Sequence, residues 1–165
     1  MIHMENKLLD LFAGLSREAA RSQLYAMRAK KDNRPDLAKF FLALADSQAM
    51  QAQRFLMQVR GTVGTTEENE LNAFNVEIPA AIVAYGRLQQ EAELLGSKAL
   101  TTGFSHSAEI DRLNLELYRT LADRPADTDY YVCDFCGYIA TDAPPERCPI
   151  CTAPRNRFKF IDFAA

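Results

Sequence analysis

The sequence predicts an all-α four-helix bundle followed by a small C-terminal metal-binding β domain. Three observations carry that reading: four segments with the alternating three-and-four apolar spacing of a bundle seam, helix breakers between them, and four cysteines confined to nineteen residues near the C-terminus. The first 132 of the 165 residues contain no cysteine, so the chain is chemically divided. The boundary is expected between Asp123 and Asp129, giving a bundle over residues 1–124 and a cysteine domain over 125–165.

The helical stripes can be written out in order. The first runs Leu11, Leu15, Glu18, Ser22, Tyr25, Ala29, and the second Leu37, Phe41, Leu44, Gln48, Gln51, Phe55. The third runs Phe74, Ile78, Ala81, Tyr85, Leu88, Ala92, Leu95, and the fourth Leu100, Phe104, Ser107, Asp111, Asn114, Tyr118, Leu121. Asn33 to Pro35, Gly61 with Gly64, and Gly96 with Ser97 separate them. Thr65 and Glu68 have the spacing of a capping box that opens a short helix before the third stripe. Pro79 either sits in the first turn of a new helix after Asn75 or kinks a longer one.

Polar residues interrupt these stripes near the helix midpoints. Glu18, Gln48, Gln51, Asp111 and Asn114 occupy seam positions and are expected to converge at one level. A buried carboxylate must be protonated, hydrogen-bonded or bound to a cation, because burying it unpaired is costly. Amides that bond to carboxylates and fix helix register are one outcome, and a metal site built from inward side chains is the other.

The tail from Tyr130 to Asp162 holds two Cys-x-x-Cys pairs, Cys133 with Cys136 and Cys148 with Cys151, separated by eleven residues. Each pair can present two thiolates from one tight turn, and two such turns complete a tetrahedral four-sulfur site for iron or zinc. Gly137 directly follows the second cysteine, where a backbone with positive φ lets amides point at sulfur. Tyr130, Tyr131, Phe135, Tyr138, Phe158 and Phe160 supply the apolar material for a core that depends on metal for much of its stability.

Composition narrows the function classes. Net charge is -3, and the short basic clusters Arg28 to Arg34 and Arg155 to Lys159 read as solvated ends, so nucleic acid is not an expected partner. No apolar run approaches the roughly 20 residues needed to span a bilayer, and Met1 to Asp10 lacks the apolar core of a signal peptide. Paired cysteines in such a chain point to a reducing, cytoplasmic setting and to metal binding rather than disulfides.

A bundle followed by this tail resembles rubrerythrin over essentially the whole chain. The resemblance rests on CGY at Cys136 to Tyr138, Ala-Pro-Pro-Glu-Arg from Ala143 to Arg147, CPIC at Cys148 to Cys151, FAG at Phe12 to Gly14, Glu18 seven residues before Tyr25, and Gln51-Ala52 followed by Phe55. It implies a ferritin-like bundle, a rubredoxin-like domain, a cytosolic homodimer, a redox partner protein and electrons passing from a four-cysteine iron to a di-iron centre that reduces peroxide. Position by position, Glu18 matches the family's first-helix glutamate, but its second-helix Glu-x-x-His becomes Gln48 and Gln51. A gapless alignment puts the third helix's two glutamates at Ile78 and Ala81, and the fourth helix's Glu-x-x-His becomes Asp111 and Asn114. Glu77 lies one residue off the seam, and His106 reads as a surface or cap histidine. The expectation is one iron in the four-cysteine site, with zinc as the alternative, and a di-iron site lost from the bundle. A working peroxidase with an unusual site, or a zinc-stapled interaction module without redox chemistry, are the rival readings, so enzyme activity is left open.

Overall fold

The computed structural model describes residues 2–59 and 61–162. It divides into two compact units, Met1–Thr65 and Thr66–Ala165. Helices dominate, and among the described residues the strands are confined to the tail. No helix among the described residues is long and apolar enough to cross a membrane.

The first unit is a helical hairpin of α1 (Ile2–Lys31) and α2 (Pro35–Leu56). Asn33 ends α1 in the left-handed region at φ 55°, which lets the Arg34 amide donate to the Ala29 carbonyl at 2.8 Å and the Asn33 amide to Lys30 at 3.2 Å. This double closure satisfies carbonyls that a helix end otherwise leaves open. Pro35 then starts α2, where its missing N–H costs nothing. The nearby basic cluster is paired locally and in the open, Arg28 with Asp32 at 2.8 Å and Arg34 with Asp36 at 3.4 Å, in keeping with a solvated end.

What α1 and α2 bury is small. Ala19, Ser22, Ala26 and Ala29 of α1 are buried, as are Ala38, Ala45 and Ala52 of α2 at seven-residue spacing. Most of this stripe lies one residue over from the one the larger apolar side chains suggest; Leu11 is 49% exposed and Tyr25 44%. The physical reason is size. Alanine lets two helices approach closely, so bulkier side chains flank the contact, as Tyr25 and Phe41 do with ring centroids 5.5 Å apart.

In the second unit the helix that opens at Thr66 runs without a break to Leu94 as α3 (Thr66–Asn72), a π turn (Ala73–Glu77) and α4 (Ile78–Leu94). Pro79 explains the π turn. Its ring would meet the carbonyl four residues back in a regular helix, and it has no N–H to donate. The widened turn, in which the Ile78 amide bonds to Ala73, accommodates both facts within a longer helix. Gly96, at φ 66°, ends α4 as Asn33 ends α1, with the Ser97 amide donating to Ala92 at 3.0 Å. Helix α5 (Lys98–Arg119) returns along α4 and buries Ala108 and Ile110. Phe74 of the π turn stacks on Tyr118 of α5 at 3.8 Å, and the Tyr118 hydroxyl donates to Glu70 at 2.6 Å. That bond to a carboxylate favours the neutral phenol and raises the Tyr118 pKa above its ordinary value.

The tail forms an antiparallel sheet of β1 (Tyr130–Cys133), β2 (Ile139–Thr141) and β3 (Phe158–Phe160) in the order β2-β1-β3. Val132 on the central strand faces Ile139 on one side and Lys159 on the other. Tyr131 packs near Phe160 and Tyr138 near Phe158, at centroid distances of 5.4 and 6.4 Å. Phe135, by contrast, is 70% exposed and contributes little to the core expected of it. The second basic cluster is again paired, Arg155 with Glu146 at 3.1 Å and Arg157 with Asp134 at 2.5 Å.

Because Ala45 is 1% exposed between α1 and α2, Ala45→Leu is expected to destabilise the chain by about 1–3 kcal/mol through overpacking. Chemical denaturation of both proteins, followed by helical circular dichroism, measures the difference.

Candidate metal centre

The four cysteine sulfurs meet at one point. Cys133 Sγ lies 3.7 Å from Cys151 Sγ and Cys136 Sγ 3.5 Å from Cys148 Sγ, and all four sulfurs fall within 4.8 Å of one another. None is in a disulfide. Thiolates about 2.3 Å from a central ion at tetrahedral angles have sulfur–sulfur edges of about 3.8 Å. The donor set therefore fits an ion in tetrahedral four-sulfur coordination, and both iron and zinc take that geometry.

Two turns of the same design position these sulfurs. In the first, the Gly137 amide donates to the Cys133 carbonyl at 2.9 Å and the Cys133 amide to the Tyr138 carbonyl at 2.9 Å. In the second, the Thr152 amide donates to Cys148 at 2.9 Å and the Cys148 amide to Ala153 at 2.8 Å. The corresponding residues Gly137 and Thr152 both have positive φ, 89° and 61°. Glycine accepts this conformation freely, whereas threonine, branched at Cβ, is strained by it. The match between CDFCGY and CPICTA is visible in the sequence, but the threonine hides the second left-handed position.

Backbone amides also point at the sulfurs. Burial pushes the Cys136 thiol far up, against the Tyr138 amide that donates to it, and burial likewise raises Cys151 against the Ala153 amide. Burial alone would raise Cys148 too, yet the Cys151 and Ile150 amides and the neighbouring Cys136 and Cys151 sulfurs bring it below its ordinary value. As thiols, then, Cys136, Cys148 and Cys151 do not ionise alike. A bound cation offsets the burial cost at every sulfur and removes the remaining protons.

The polar seam residues have local partners in each unit. In the first, Ser22 donates to Gln48 Oε1 at 2.8 Å and Gln48 Nε2 donates to Glu18 Oε2 at 3.3 Å. Gln51 instead donates to Ser47 at 3.3 Å on the same helix, so it does not join Glu18. Both Glu18 and Gln51 are exposed rather than in the buried layer expected of them, and water solvates the carboxylate. In the second, Asn114 donates to Asp111 at 3.4 Å along α5, and Ile78 and Ala81 lie half-buried on α4. Glu77 is exposed and accepts from Asn72 at 2.9 Å, and His106 is half-buried on α5. The donor chemistry does not fit two iron ions. Of the seven positions at issue only Glu18 and Asp111 are carboxylates, and none is histidine.

Comparison with known proteins agrees with the tail's geometry. Residues 131–159 match the family described as "Rubrerythrin, rubredoxin-like domain". Rubrerythrin-1 of Clostridium acetobutylicum is 25% identical over 93% of this chain and 92% of its own length. Rubrerythrin of Porphyromonas gingivalis is 26% identical over 94% of this chain and 88% of its own. A solved nigerythrin in its mixed-valence state aligns over 95% of this chain and 86% of that one, at 20% identity and a TM-score of 0.44.

The knuckle geometry yields opposite expectations for two substitutions. Gly137→Ala places a side chain at φ 89° in otherwise open space and is expected to cost about 1–2 kcal/mol. Thr152→Gly relieves the corresponding strain and is expected to slow metal loss. The rate of metal transfer to an excess of chelator, followed for both variants and the parent chain, measures both.

Proposed function

We propose, on the premise that the chain is a member of the rubrerythrin family, that it is a one-electron carrier with iron in the four-cysteine site and no di-iron centre in its helices. The observation that carries this reading is the contrast between two donor sets: four converging sulfurs in the tail, and amide or apolar side chains at most positions where two irons would need carboxylates and imidazoles. Iron held by four thiolates supplies reversible one-electron exchange.

The chain's own residues shape that exchange. The Tyr138 amide on Cys136, the Ala153 amide on Cys151 and the Ile150 and Cys151 amides on Cys148 place partial positive charge against the sulfurs. Such donors stabilise the more negative, reduced site. Cys133 and Cys148 are buried while Cys136 and Cys151 are half-exposed, so an electron enters or leaves on the side of the latter pair. Exposed Phe135, next to Cys136, offers a protein redox partner an apolar contact there.

Two further features belong to this reading. Large apolar side chains such as Leu24, Phe40, Leu42 and Met50 are exposed on α1 and α2, which supports a homodimer that covers them; light scattering on the purified chain tests it. Four unpaired thiols support a reducing cytoplasm.

Elemental analysis of protein purified without added metal, with its visible spectrum, is expected to give one iron per chain and thiolate charge-transfer colour that bleaches on reduction. About three irons per chain would overturn the loss of the di-iron centre, and one colourless zinc would overturn electron transfer. Hydrogen peroxide consumption is expected at background level and unchanged by Glu18→Ala. Turnover that this variant abolishes would mean that a peroxidase site is alive.

A further inference from the structure

A cleft in the second unit lies between helical residues and the cysteine domain. It comprises two adjoining hollows of about 330 Å³ each, both lined by Asn114, Leu117 and Ile139. That size is at the lower end of pockets that hold small organic molecules. Its two ends differ in chemistry. One is apolar, walled by Phe74, Ile78, Leu121 and Tyr130. The other carries Glu116, Thr120, Arg124 and Thr141.

Arg124 is the cation of the polar end, which it shares with the carboxylate of Glu116. Its Nε donates to Thr120 at 3.3 Å and one terminal nitrogen to Thr141 at 3.5 Å, both neutral hydroxyls. Guanidinium carries five N–H donors in a planar fork suited to a carboxylate, so two long bonds to hydroxyls leave most of that capacity unused. Ile78 sets the apolar end. At the position where the family resemblance expects a glutamate, it contributes a hydrocarbon wall, along with Phe74 and Tyr130.

We propose that this cleft binds a free medium-chain carboxylate, with its hydrocarbon chain along Ile78, Phe74 and Leu117 and its carboxylate on Arg124. Charge and shape select that class together. A neutral hydrocarbon leaves Arg124 without its anion, and a short acid such as acetate leaves the apolar end empty. The assignment does not depend on which metal the four cysteines hold, so it stands or falls separately from the electron-transfer reading.

Isothermal titration of the full-length, metal-loaded chain with octanoate tests it. One site per chain is expected, and hexanoate should bind about tenfold more weakly because it buries two fewer methylenes. Octanol, which lacks the charge, should bind at least tenfold more weakly than octanoate. Arg124→Gln should weaken octanoate about tenfold and leave octanol unchanged, whereas Glu116→Gln should tighten octanoate. Ile78→Asp should abolish binding of both ligands. Circular dichroism and retained metal confirm that each variant is folded. Absence of octanoate binding, many weak sites, or an affinity that Arg124→Gln leaves unchanged would overturn the proposal. A cleft closed by a second copy of the chain would give the first of those results.

Discussion

Four sulfur atoms within 4.8 Å of one another constrain the tail more than any packing contact does. As thiolates they would repel at that distance, and as thiols they would gain only weak sulfur contacts. A central cation resolves the conflict. Strands of three or four residues and two aromatic pairs offer too little buried surface to hold such a cluster unaided. The two matching turns must therefore be understood as metal-shaped structure. Threonine at φ 61° is held there by the backbone bonds through the Cys148 and Ala153 carbonyls, and a bound metal would fix the turn further.

The helical units follow a different logic. Buried contact between α1 and α2 depends on alanine, which supplies closeness rather than area. The polar side chains beside it are arranged as donors to neighbours on the same unit, with Ser22 and Gln48 holding Glu18 in a relay of hydrogen bonds. An amide at residue 48 can do this because it both donates and accepts. A carboxylate there would lack the amide's donor and add a second negative charge beside the exposed Glu18. The amide at residue 48 thus serves as a hydrogen-bonded contact between α1 and α2.

The cluster of four cysteines is fully legible in the sequence, since two short Cys-x-x-Cys turns leave few alternatives. So are the helix ends, because Asn33, Pro35 and Gly96 each have a backbone reason to be where they are. The buried stripe lies mostly one residue from where spacing puts it, because leucine and tyrosine signal hydrophobicity more loudly than alanine, although Ala38, Ala45 and Ala52 announce a seven-residue repeat. Spacing alone puts Gln51 in the polar layer, but a flexible side chain chooses its partner locally and takes Ser47. The π turn is half legible: Pro79 announces an irregularity, while its form depends on whether the preceding helix can widen rather than stop.

These departures meet in the second unit. A small residue such as alanine at position 78 would line the helix surface only thinly. Isoleucine is larger, and at the end of a π turn, beside the stacked pair of Phe74 and Tyr118, it walls an apolar hollow that a glutamate would make polar. Asn114 lines the same hollow and the polar one next to it. These side chains form a continuous surface that changes from hydrocarbon to guanidinium. Such a gradient is what an amphipathic molecule would recognise.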